Sequence, residues 1–328
     1  MAKKTILLTG ATGLVGSHTA EALCRQGVRV RALVRPTSNT GRLEALGVEL
    51  VHGALPDSDP LRRALDATDT VLHLAAVTSA RSSAEYDRTN AEGTAALLRA
   101  ALAATTPPRR FVYLSSMAAV GPSVNGRPVR PHDTPRPLTA YGRSKLAGEA
   151  HCLSVRDRIE IVVLRAPTVY GPRDRDVYHF FRLAARGVLP VPTGPARPLQ
   201  LLHVEDLAAA LVHAATVERA AGVFHVAEPR AYTWEQVARL VAQAVGVRAR
   251  VVRVPASLIR AAGLATEWLG AVRGARTIFD REKASELLAP GWLCDTAATA
   301  EEFGFEPRIG LEEGLRGTAA WYRGEGWL

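Results

Sequence analysis

The segment YGRSK places a tyrosine, Tyr141, four residues before a lysine, Lys145. On a helix, residues four apart lie on the same face, so the phenol and the ammonium would point into the same space. A phenol beside a cation ionises more easily, and an acidic phenol can exchange a proton with a substrate oxygen. Only four of the 41 basic residues are lysines, so a lysine at this place is informative. The pair predicts acid–base chemistry, provided that the rest of the chain forms a cleft beside it.

A glycine-rich turn lies near the start of the chain, in the segment TILLTGATGLVGSH. Gly10, Gly13 and Gly16 follow a predicted strand and open a predicted helix. Glycines at such a turn let a pyrophosphate approach the backbone, and the helix N-terminus supplies amide donors and partial positive charge. The spacing is G-x-x-G-x-x-G, which differs from the G-x-G-x-x-G pattern. Its place in the first strand–helix unit nevertheless predicts a dinucleotide site.

The end of the second predicted strand, in RVRALVRPTSN, indicates which dinucleotide binds. NAD sites usually carry an acid about 20 residues past the glycines, where it holds the ribose hydroxyls. Here that place holds Val34 and Arg35. Arg35, helped by Ser38 or Asn39, could pair with a 2′-phosphate, which an acid would repel. We therefore predict NADP(H) as the cofactor, with NAD(H) as the alternative.

Short apolar segments rich in Val, Ile and Leu alternate with Ala-rich segments of helix length through the first half of the chain. This alternation indicates a parallel sheet covered on both faces, so the predicted fold class is doubly wound α/β. After residue 166 the rhythm loosens, with six prolines between positions 167 and 198. We predict a nucleotide-binding domain over 1–166 and a smaller region over 167–328, from which segments of 200–230 can return to the main sheet.

The composition, 47% hydrophobic and 22% charged over 328 residues, is typical of a soluble globular protein. Gly10 and Gly13 break the first apolar run before it reaches signal-peptide or membrane-span length, so we expect a cytoplasmic protein with no membrane partner. The three cysteines are far apart, which fits neither a disulfide framework nor a paired-cysteine zinc site. The net charge of +9 comes from scattered arginines without a basic run, so we expect no nucleic-acid partner.

Several segments, taken in order, resemble the extended short-chain dehydrogenase/reductase family over nearly the whole chain. They are TGATGLVG, HLAA at 73–76, Asn90 in RTNAEGT, YLSS at 113–116, YGRSK, LRAPTVYGPR at 164–173 and LLHVEDLA at 201–208. The resemblance implies a Rossmann-type domain, a smaller C-terminal substrate domain and a catalytic set of Ser116, Tyr141 and Lys145. It also implies that Tyr141 exchanges a proton while a hydride moves to or from nicotinamide, with Ser116 on the substrate oxygen and Ser115 as the alternative.

The glycine turn, the second strand and the family resemblance together give the predicted cofactor contacts. Relatives usually carry an acid at the place of Ala54, so adenine recognition would use Leu55 instead. No metal site is predicted, because Glu205 and Asp206 are expected to be helix N-terminal charges beside His203. The predicted cofactor-binding residues are Gly10, Thr12, Gly13, Leu14, Val15, Gly16, Arg35, Ser38, Leu55, Leu74, Ala75, Ala76, Asn90, Tyr141, Lys145, Ala166 and Thr168.

Two departures from the nucleotide-sugar members of the family bear on the substrate. Thr168 stands where those members carry an asparagine, and Leu199 stands where they carry an arginine, with Arg197 two residues away. A diphosphate would lose charge-assisted hydrogen bonds without those groups. The pattern is more similar to the dihydroflavonol-reductase and 3β-hydroxysteroid-dehydrogenase branch, which acts on largely apolar skeletons. The expected lining of the substrate pocket comes from 78–88, 117–124, 167–182 and 190–200.

Three functions remain open from the sequence. The first is an NADP(H)-dependent oxidoreductase acting on a ketone or secondary alcohol of a small-molecule substrate. The second is a nucleotide-sugar 4-epimerase that retains NAD, and the third is a non-catalytic dinucleotide-sensing regulator, which would not need an intact Ser, Tyr and Lys set. The segment SSMAAVG offers no acid pair, which argues against sugar dehydration. The family resemblance also implies a homodimer formed through the predicted helices 82–104 and 139–156.

Overall fold

The computed structural model describes residues 4–273 and 279–328. Its strands in chain order are β1 (Thr5–Thr9), β2 (Arg29–Val34), β3 (Glu49–His52), β4 (Thr70–His73), β5 (Arg110–Ser116), β6 (Glu160–Ala166), β7 (Thr168–Tyr170), β8 (Val188–Pro192), β9 (Leu201–His203), β10 (Gly222–His225) and β11 (Arg250–Val254). Its helices are α1 (Leu14–Arg25), α2 (Gly41–Ala45), α3 (Ser58–Leu65), α4 (Ser83–Tyr86), α5 (Gly93–Ala103), α6 (Ala140–Leu153), α7 (Tyr178–Ala185), α8 (Val204–Thr216), α9 (Trp234–Val245), α10 (Ala256–Arg273), α11 (Arg281–Leu287), α12 (Ala297–Glu301) and α13 (Leu311–Gly324).

The central sheet has seven strands, all parallel, in the order β3, β2, β1, β4, β5, β6, β10. The chain first builds outward from β1 to β3 and then crosses to β4, so the direction of strand addition reverses between β1 and β4. In open parallel sheets of this kind, ligands bind beyond the carboxyl ends of the strands at such a reversal. The predicted doubly wound α/β fold class is confirmed.

The two faces of the sheet are covered by different helices because successive strand residues point to opposite sides. Ile6 and Leu8 of β1 belong to a core that includes residues of α1 and α8. Leu7, between them, belongs to a second core with residues of α3 and α5. Strands buried on both faces have to be apolar throughout, which is the pattern that the sequence shows.

The C-terminal half contributes to both the main sheet and a separate core. β10 pairs with β6, and α8 packs on the α1 side, so segments within 200–230 do contact the main sheet. The separate core lies among α7, α9 and α13 and includes Phe181, Val241 and Tyr322. The domain boundary at 166 stays a prediction, and residues 1–3 and 274–278 of the two predicted domains lie outside the described residues.

The predicted helix over 82–104 is not one regular helix. It consists of α4, a π-helical segment over Asp87–Glu92 and α5. A π-helical turn inserts an extra residue into the helix and is found frequently at functional sites. Over the described ranges, none of the helices has both the length and the apolar character needed to cross a bilayer.

A buried polar group attaches α6 to the middle of the sheet. The Glu149 carboxylate on α6 pairs with the Arg165 guanidinium on β6, with Oε2 and Nη2 2.7 Å apart. The Ser115 hydroxyl on β5 donates to Glu149 Oε1 at 2.5 Å. Since both members of the ion pair are buried, this arrangement fixes the rotation of α6, which carries the YGRSK motif.

Candidate active site

Tyr141 and Ser116 lie together at the carboxyl edge of the sheet. Ser116 is the last residue of β5, and Tyr141 is the second residue of α6. Thr139 caps α6, because its hydroxyl accepts a hydrogen bond from the Gly142 amide at 3.1 Å. Burial raises the pKa of Tyr141 above its usual range, while the charge of Lys283 and a hydrogen bond with the Ser116 side chain act in the opposite direction.

Lys145 lies one helical turn after Tyr141 and is 2% exposed. Its ammonium donates to the Leu114 carbonyl at 2.6 Å and lies 4.1 Å from the centroid of the Tyr113 ring. Burial lowers the pKa of Lys145 to about 8, against the opposing effect of the Glu149 carboxylate. The Lys145 ammonium is therefore held against β5. The cation with the largest lowering effect on the pKa of Tyr141 is a different lysine, Lys283.

The two adjacent serines of β5 have different surroundings. Ser115 is buried, and its hydroxyl is bound to Glu149. Ser116 is half-buried, and its hydroxyl accepts from the Ala118 amide at 3.1 Å. A hydroxyl has to reach the cleft to bind a substrate oxygen, so the geometry favours Ser116 over Ser115 for that role.

The glycine turn brings two main-chain segments into close contact. Gly10 has a φ of +73°, and a Cβ added there would lie 2.7 Å from the Ala75 nitrogen. A Cβ added at Gly16 would overlap the Gly10 carbonyl. α1 begins after Gly13 with no side-chain cap and no acid in its first turn, which leaves a helix N-terminus suited to an anion. These residues fit the pyrophosphate of a dinucleotide.

The predicted ribose and adenine contacts follow the neighbouring strands. Arg35 is exposed just past the end of β2, and its carbonyl accepts from the Ser38 amide at 2.9 Å in a tight turn. Because β2 lies beside β1, this turn is next to the glycine turn. Leu55 packs under α5, where a Cβ added at Gly93 would lie 3.0 Å from Leu55 Cδ1.

The remaining predicted cofactor residues lie after β4, at the end of β6, at the start of β7 and at the start of α1. The Ala75 amide donates to the Thr9 hydroxyl at 3.2 Å, so the segment Leu74–Ala76 is tied to β1. Thr168 is exposed on β7, while Ala166 is buried at the end of β6. Thr12, Leu14 and Val15 line the start of α1, where Thr12 is exposed.

Asn90 differs from the other predicted contacts because its side chain is already engaged. It is 1% exposed and lies in the π-helical segment. Its amide group donates to the Val77 carbonyl at 3.0 Å and to the Ser144 hydroxyl at 2.9 Å, and accepts from the Val77 amide at 2.8 Å. Asn90 therefore joins the loop after β4 to α6, which is a positioning role.

The sequence did not predict that α11 contacts this site. The Glu282 carboxylate accepts from the Ala140 amide at 2.7 Å, and Glu286 accepts from the Thr139 hydroxyl at 3.2 Å. Lys283 Nζ lies 5.9 Å from the centroid of the Tyr141 ring. Tyr86, from the predicted lining segment 78–88, has its ring centroid 5.9 Å from that of Tyr141. A signal for Lys283 does exist in the sequence, because apart from Lys145 it is the only lysine after position 4.

The positions that hold a diphosphate in nucleotide-sugar enzymes are occupied differently here. Leu199 is buried in the C-terminal core. The Arg197 guanidinium donates to the main-chain carbonyls of Leu288 and Thr193 at 3.2 and 3.0 Å. The Arg197 guanidinium therefore stabilises the main chain around its own loop.

The acidic residues after β9 lie at the start of a helix, and one of them has structural partners. Glu205 and Asp206 lie in the first turn of α8, and the Asp206 carboxylate accepts from the amides of Arg308 and Ile309 at 3.1 and 2.8 Å. His203 caps the same helix through its ring nitrogen. Over the described parts of the chain, no group of three or more His, Cys, Asp or Glu side chains is arranged to hold a metal ion.

Comparison with known proteins gives matches over most of the chain. Residues 6–227 match the family model described as the NAD dependent epimerase/dehydratase family. A ceramide reductase of Caulobacter vibrioides is 34% identical over 330 residues, covering 100% of this chain and 97% of that protein. A putative dihydroflavonol 4-reductase of Synechocystis is 34% identical over 173 residues, 51% of this chain and 50% of that protein. The solved structure of MoeE5 with UDP-glucuronic acid and NAD is 28% identical with a TM-score of 0.76, covering 98% of this chain and 99% of that one.

Proposed function

The chain belongs to the NAD dependent epimerase/dehydratase family, and on that premise we propose that it is an NADP(H)-dependent oxidoreductase of the extended short-chain dehydrogenase/reductase type. It moves a hydride between nicotinamide and a ketone or secondary alcohol on a small, largely apolar substrate. The observation that carries this proposal is that the Tyr141 phenol and the Ser116 hydroxyl form a hydrogen bond at the carboxyl edge of the sheet. Ser116 ends β5, which is separated from β1 and its glycine turn by β4 alone.

The proposed roles of Ser116, Tyr141 and Lys145 follow from their positions at the carboxyl edge of the sheet. The cofactor, when bound, supplies the hydride for reduction or accepts it in oxidation. In the direction of reduction, the Ser116 hydroxyl binds the carbonyl oxygen, and Tyr141 gives its proton to that oxygen as the new C–H bond forms and the C=O π bond breaks. The product is an alcohol, and the phenolate of Tyr141 takes up a proton from solvent. Lys145 holds the end of β5 through the Leu114 carbonyl.

Two observations support an apolar substrate. Leu199 is buried and Arg197 is bound to main-chain carbonyls, so neither offers a charge-assisted hydrogen bond to a diphosphate. The relative that is 34% identical over the whole chain is named a ceramide reductase, which points to a carbonyl on a lipid-like skeleton. We therefore favour hydrophobic ketones over nucleotide sugars.

The preference for NADP(H) rests on Arg35. Its guanidinium is exposed beyond β2, and no acid stands beside it in the segment RPTSN. A 2′-phosphate could bind there bidentately. The family model is described as NAD dependent, so NAD(H) remains the alternative cofactor.

A second candidate is a nucleotide-sugar epimerase, favoured by the 28% identical structure that holds UDP-glucuronic acid and NAD. Both candidates use the same hydride and tyrosine chemistry. They differ in that an epimerase retains its cofactor through the reaction cycle, whereas a reductase exchanges it with every turnover.

The test is a screen of the purified protein for NADPH oxidation against long-chain ketones, cyclic ketones, aldehydes and nucleotide sugars. We expect NADPH consumption with an apolar ketone and no tightly bound dinucleotide after heat extraction. The Tyr141→Phe variant serves as the control for background oxidation. Retained NAD together with interconversion of a nucleotide sugar would contradict the reductase proposal and support the epimerase.

A further inference from the structure

Two carboxylates of α11 form hydrogen bonds with the start of α6. The Glu282 carboxylate accepts from the Ala140 amide, and the Glu286 carboxylate accepts from the hydroxyl of Thr139, the capping residue of α6. Carboxylates at a helix N-terminus bind its free amides and are favoured by its partial positive charge. α11 is therefore packed where it can set the position of the residue that follows, Tyr141.

Lys283 lies between these two glutamates in the sequence of α11 and faces the same phenol. Its ammonium is 2.9 Å from Glu286 Oε2 and 5.9 Å from the centroid of the Tyr141 ring. The side chain is 43% exposed, so it remains in reach of solvent at the cleft. The two lysines that follow position 4 thus both lie near Tyr141, in a chain that otherwise uses arginine for positive charge.

We propose that α11 is part of the active site and that Lys283 is a positioning residue, which presents a second ammonium to the Tyr141 phenol. This inference rests on the proposed function of Tyr141 as the proton-exchanging group. Lys145 is buried and held against the Leu114 carbonyl, whereas Lys283 is the more exposed of the two cations and lies 5.9 Å from the centroid of the Tyr141 ring. The groups around the phenol are Tyr86 of α4, Tyr113 and Ser116 of β5, Lys145 of α6, and Glu282, Lys283 and Glu286 of α11.

The test compares Lys283→Met with Lys283→Arg. Removal of an ammonium about 6 Å from the ring should raise the pKa of Tyr141 by about 0.5–1 unit, and arginine should restore most of the shift. Two readouts are used: the pH profile of alcohol oxidation, and tyrosinate absorbance, taken as the difference between each protein and the same protein carrying Tyr141→Phe. Arg281→Met is the matched control, because Arg281 is exposed on the same helix and pairs with Glu267.

The outcomes separate this inference from the proposed function. If both readouts are unchanged in Lys283→Met, Lys283 is not a positioning residue and the inference is wrong. If the absorbance titration shifts but no substrate is turned over by the unmodified protein, the placement of Lys283 stands and the proposed function fails. An equal shift in Arg281→Met would also overturn the inference, because it would indicate a general charge effect of α11.

A separate observation concerns the outer surface of α10. Among the described residues, seven of the nine exposed large apolar side chains lie on β8, β11 and α10, namely Val188, Val252, Leu258, Leu264, Trp268, Leu269 and Val272. Trp268 is 66% exposed. A continuous patch of exposed apolar side chains marks an interaction site more often than scattered single residues do.

The apolar residues of α10 form one continuous face. The exposed set Leu258, Ala261, Ala262, Ala265, Trp268, Leu269 and Val272 follows the spacing i, i+3, i+4, i+7, i+10, i+11, i+14, and the exposed Leu264 lies at its margin beside Trp268. The opposite face packs on the start of α11, where a Cβ added at Gly263 would lie 2.8 Å from the Asp280 carbonyl oxygen. α10 is thus attached by one side and has its apolar side outward.

The chain around this face is basic. Between positions 246 and 266 it has four exposed arginines, Arg248, Arg250, Arg253 and Arg260, and no acidic residue. Arg253 is paired with Glu235, and Glu267 of α10 is paired with Arg281, so neither acid adds an unpaired negative charge. A second copy of the chain placed on this face across a two-fold axis would bring like charges together, which is unfavourable. An anionic lipid surface would instead be complementary to the arginines and would accept the apolar side chains.

We infer that the α10 face binds the surface of a membrane that contains anionic lipids. An interfacial helix with tryptophan and leucine on one side and arginine at its margins has the composition for this role. The expectation from the sequence that the protein has no membrane partner rested on the lack of a spanning segment, and an interfacial helix needs none. If the proposed function holds, α10 and the adjoining α11 would bring the cleft close to a substrate dissolved in the bilayer.

The test is flotation of the whole protein with phosphatidylcholine vesicles that contain or lack phosphatidylglycerol. We expect binding to the anionic vesicles, with a blue shift in tryptophan fluorescence, and loss of binding in Leu264→Glu/Trp268→Glu. Val124→Glu, which alters an exposed valine outside this face, should bind like the unmodified protein. Absence of vesicle binding would overturn the inference. A second result would also overturn it: light scattering shows a dimer, Leu264→Glu/Trp268→Glu converts this dimer to a monomer, and vesicles have no effect on either protein.

Discussion

Ser115 and Ser116 are adjacent in β5 but differ in what their hydroxyls can do. Ser115 is bound to the buried Glu149, whereas Ser116 faces Tyr141 at the cleft. The family resemblance favoured Ser116, and the geometry gives the physical reason. Lys283 illustrates the opposite case, because it lies more than a hundred residues after Tyr141 and no local pattern joins the two. Local motifs therefore predicted the residues on β5 and α6, while the contribution of α11 depends on packing that spacing alone does not indicate.

Arg35→Asp should change the cofactor preference. The substitution removes a guanidinium that could bind a 2′-phosphate and adds a charge that repels it, so NADP(H) affinity should fall about 10–100-fold while NAD(H) affinity rises. The dissociation constants can be measured by fluorescence quenching with each dinucleotide. Arg99→Asp, an exposed change on α5, is the control for the altered net charge. An unchanged ratio of the two affinities in Arg35→Asp would reject this role.

At the scale of elements, the strands and helices of the first half were predicted well because their periodicity is strong. The exceptions have identifiable causes. The segment 82–104 contains a π-helical turn around Asn90, whose side chain bridges to the Val77 backbone and to Ser144. The short strands β7, β8 and β9 and the helix α11 were not predicted, because they are short, lie between prolines or carry mainly polar residues.

Glu149→Gln should destabilise the protein by about 3–5 kcal/mol, because it leaves the buried Arg165 guanidinium without its counter-charge. Chemical denaturation followed by far-UV circular dichroism gives the change in the free energy of unfolding. Glu267→Gln breaks an exposed ion pair with Arg281 and should cost less than about 1 kcal/mol. Equal effects of the two substitutions would show that the Glu149–Arg165 pair does not hold α6 to the sheet.

Across the molecule, four of the described histidines are buried: His18, His73, His203 and His225. Burial lowers the pKa of His203, against the opposing charges of nearby carboxylates. Burial lowers the pKa of His18 to about 4, with a further contribution from the charge of Arg173. Burial also lowers the pKa of His73 to about 3, and the charge of Lys145 adds to this effect. Burial lowers the pKa of His225 to about 4, and the charge of Arg165 adds to this effect. His73 lies in the sheet between the hydroxyls of Thr9 and Thr94, at 2.7 and 2.9 Å. Each of these folded-state environments requires a neutral imidazole.

The free energy of unfolding should therefore fall as the pH decreases from about 6.5 towards 4. In that window the unfolded chain binds protons on these histidines and the folded protein does not, at a cost of up to about 1.4 kcal/mol per histidine per pH unit. Urea unfolding at pH 7 and pH 5 measures the difference. His73→Gln should reduce the pH dependence, while His132→Gln, at an exposed site, should leave it unchanged. A pH dependence that is the same in all three proteins would contradict this explanation.

The Tyr141→Phe variant tests the central claim most directly, because it removes only the hydroxyl that is proposed to exchange the proton. Its dissociation constant for NADPH and its rate of hydride transfer to a ketone identified in the screen should be measured in parallel. We expect unchanged NADPH binding and a rate that is at least about 100-fold lower. Hydride transfer at the rate of the unmodified protein would contradict the claim.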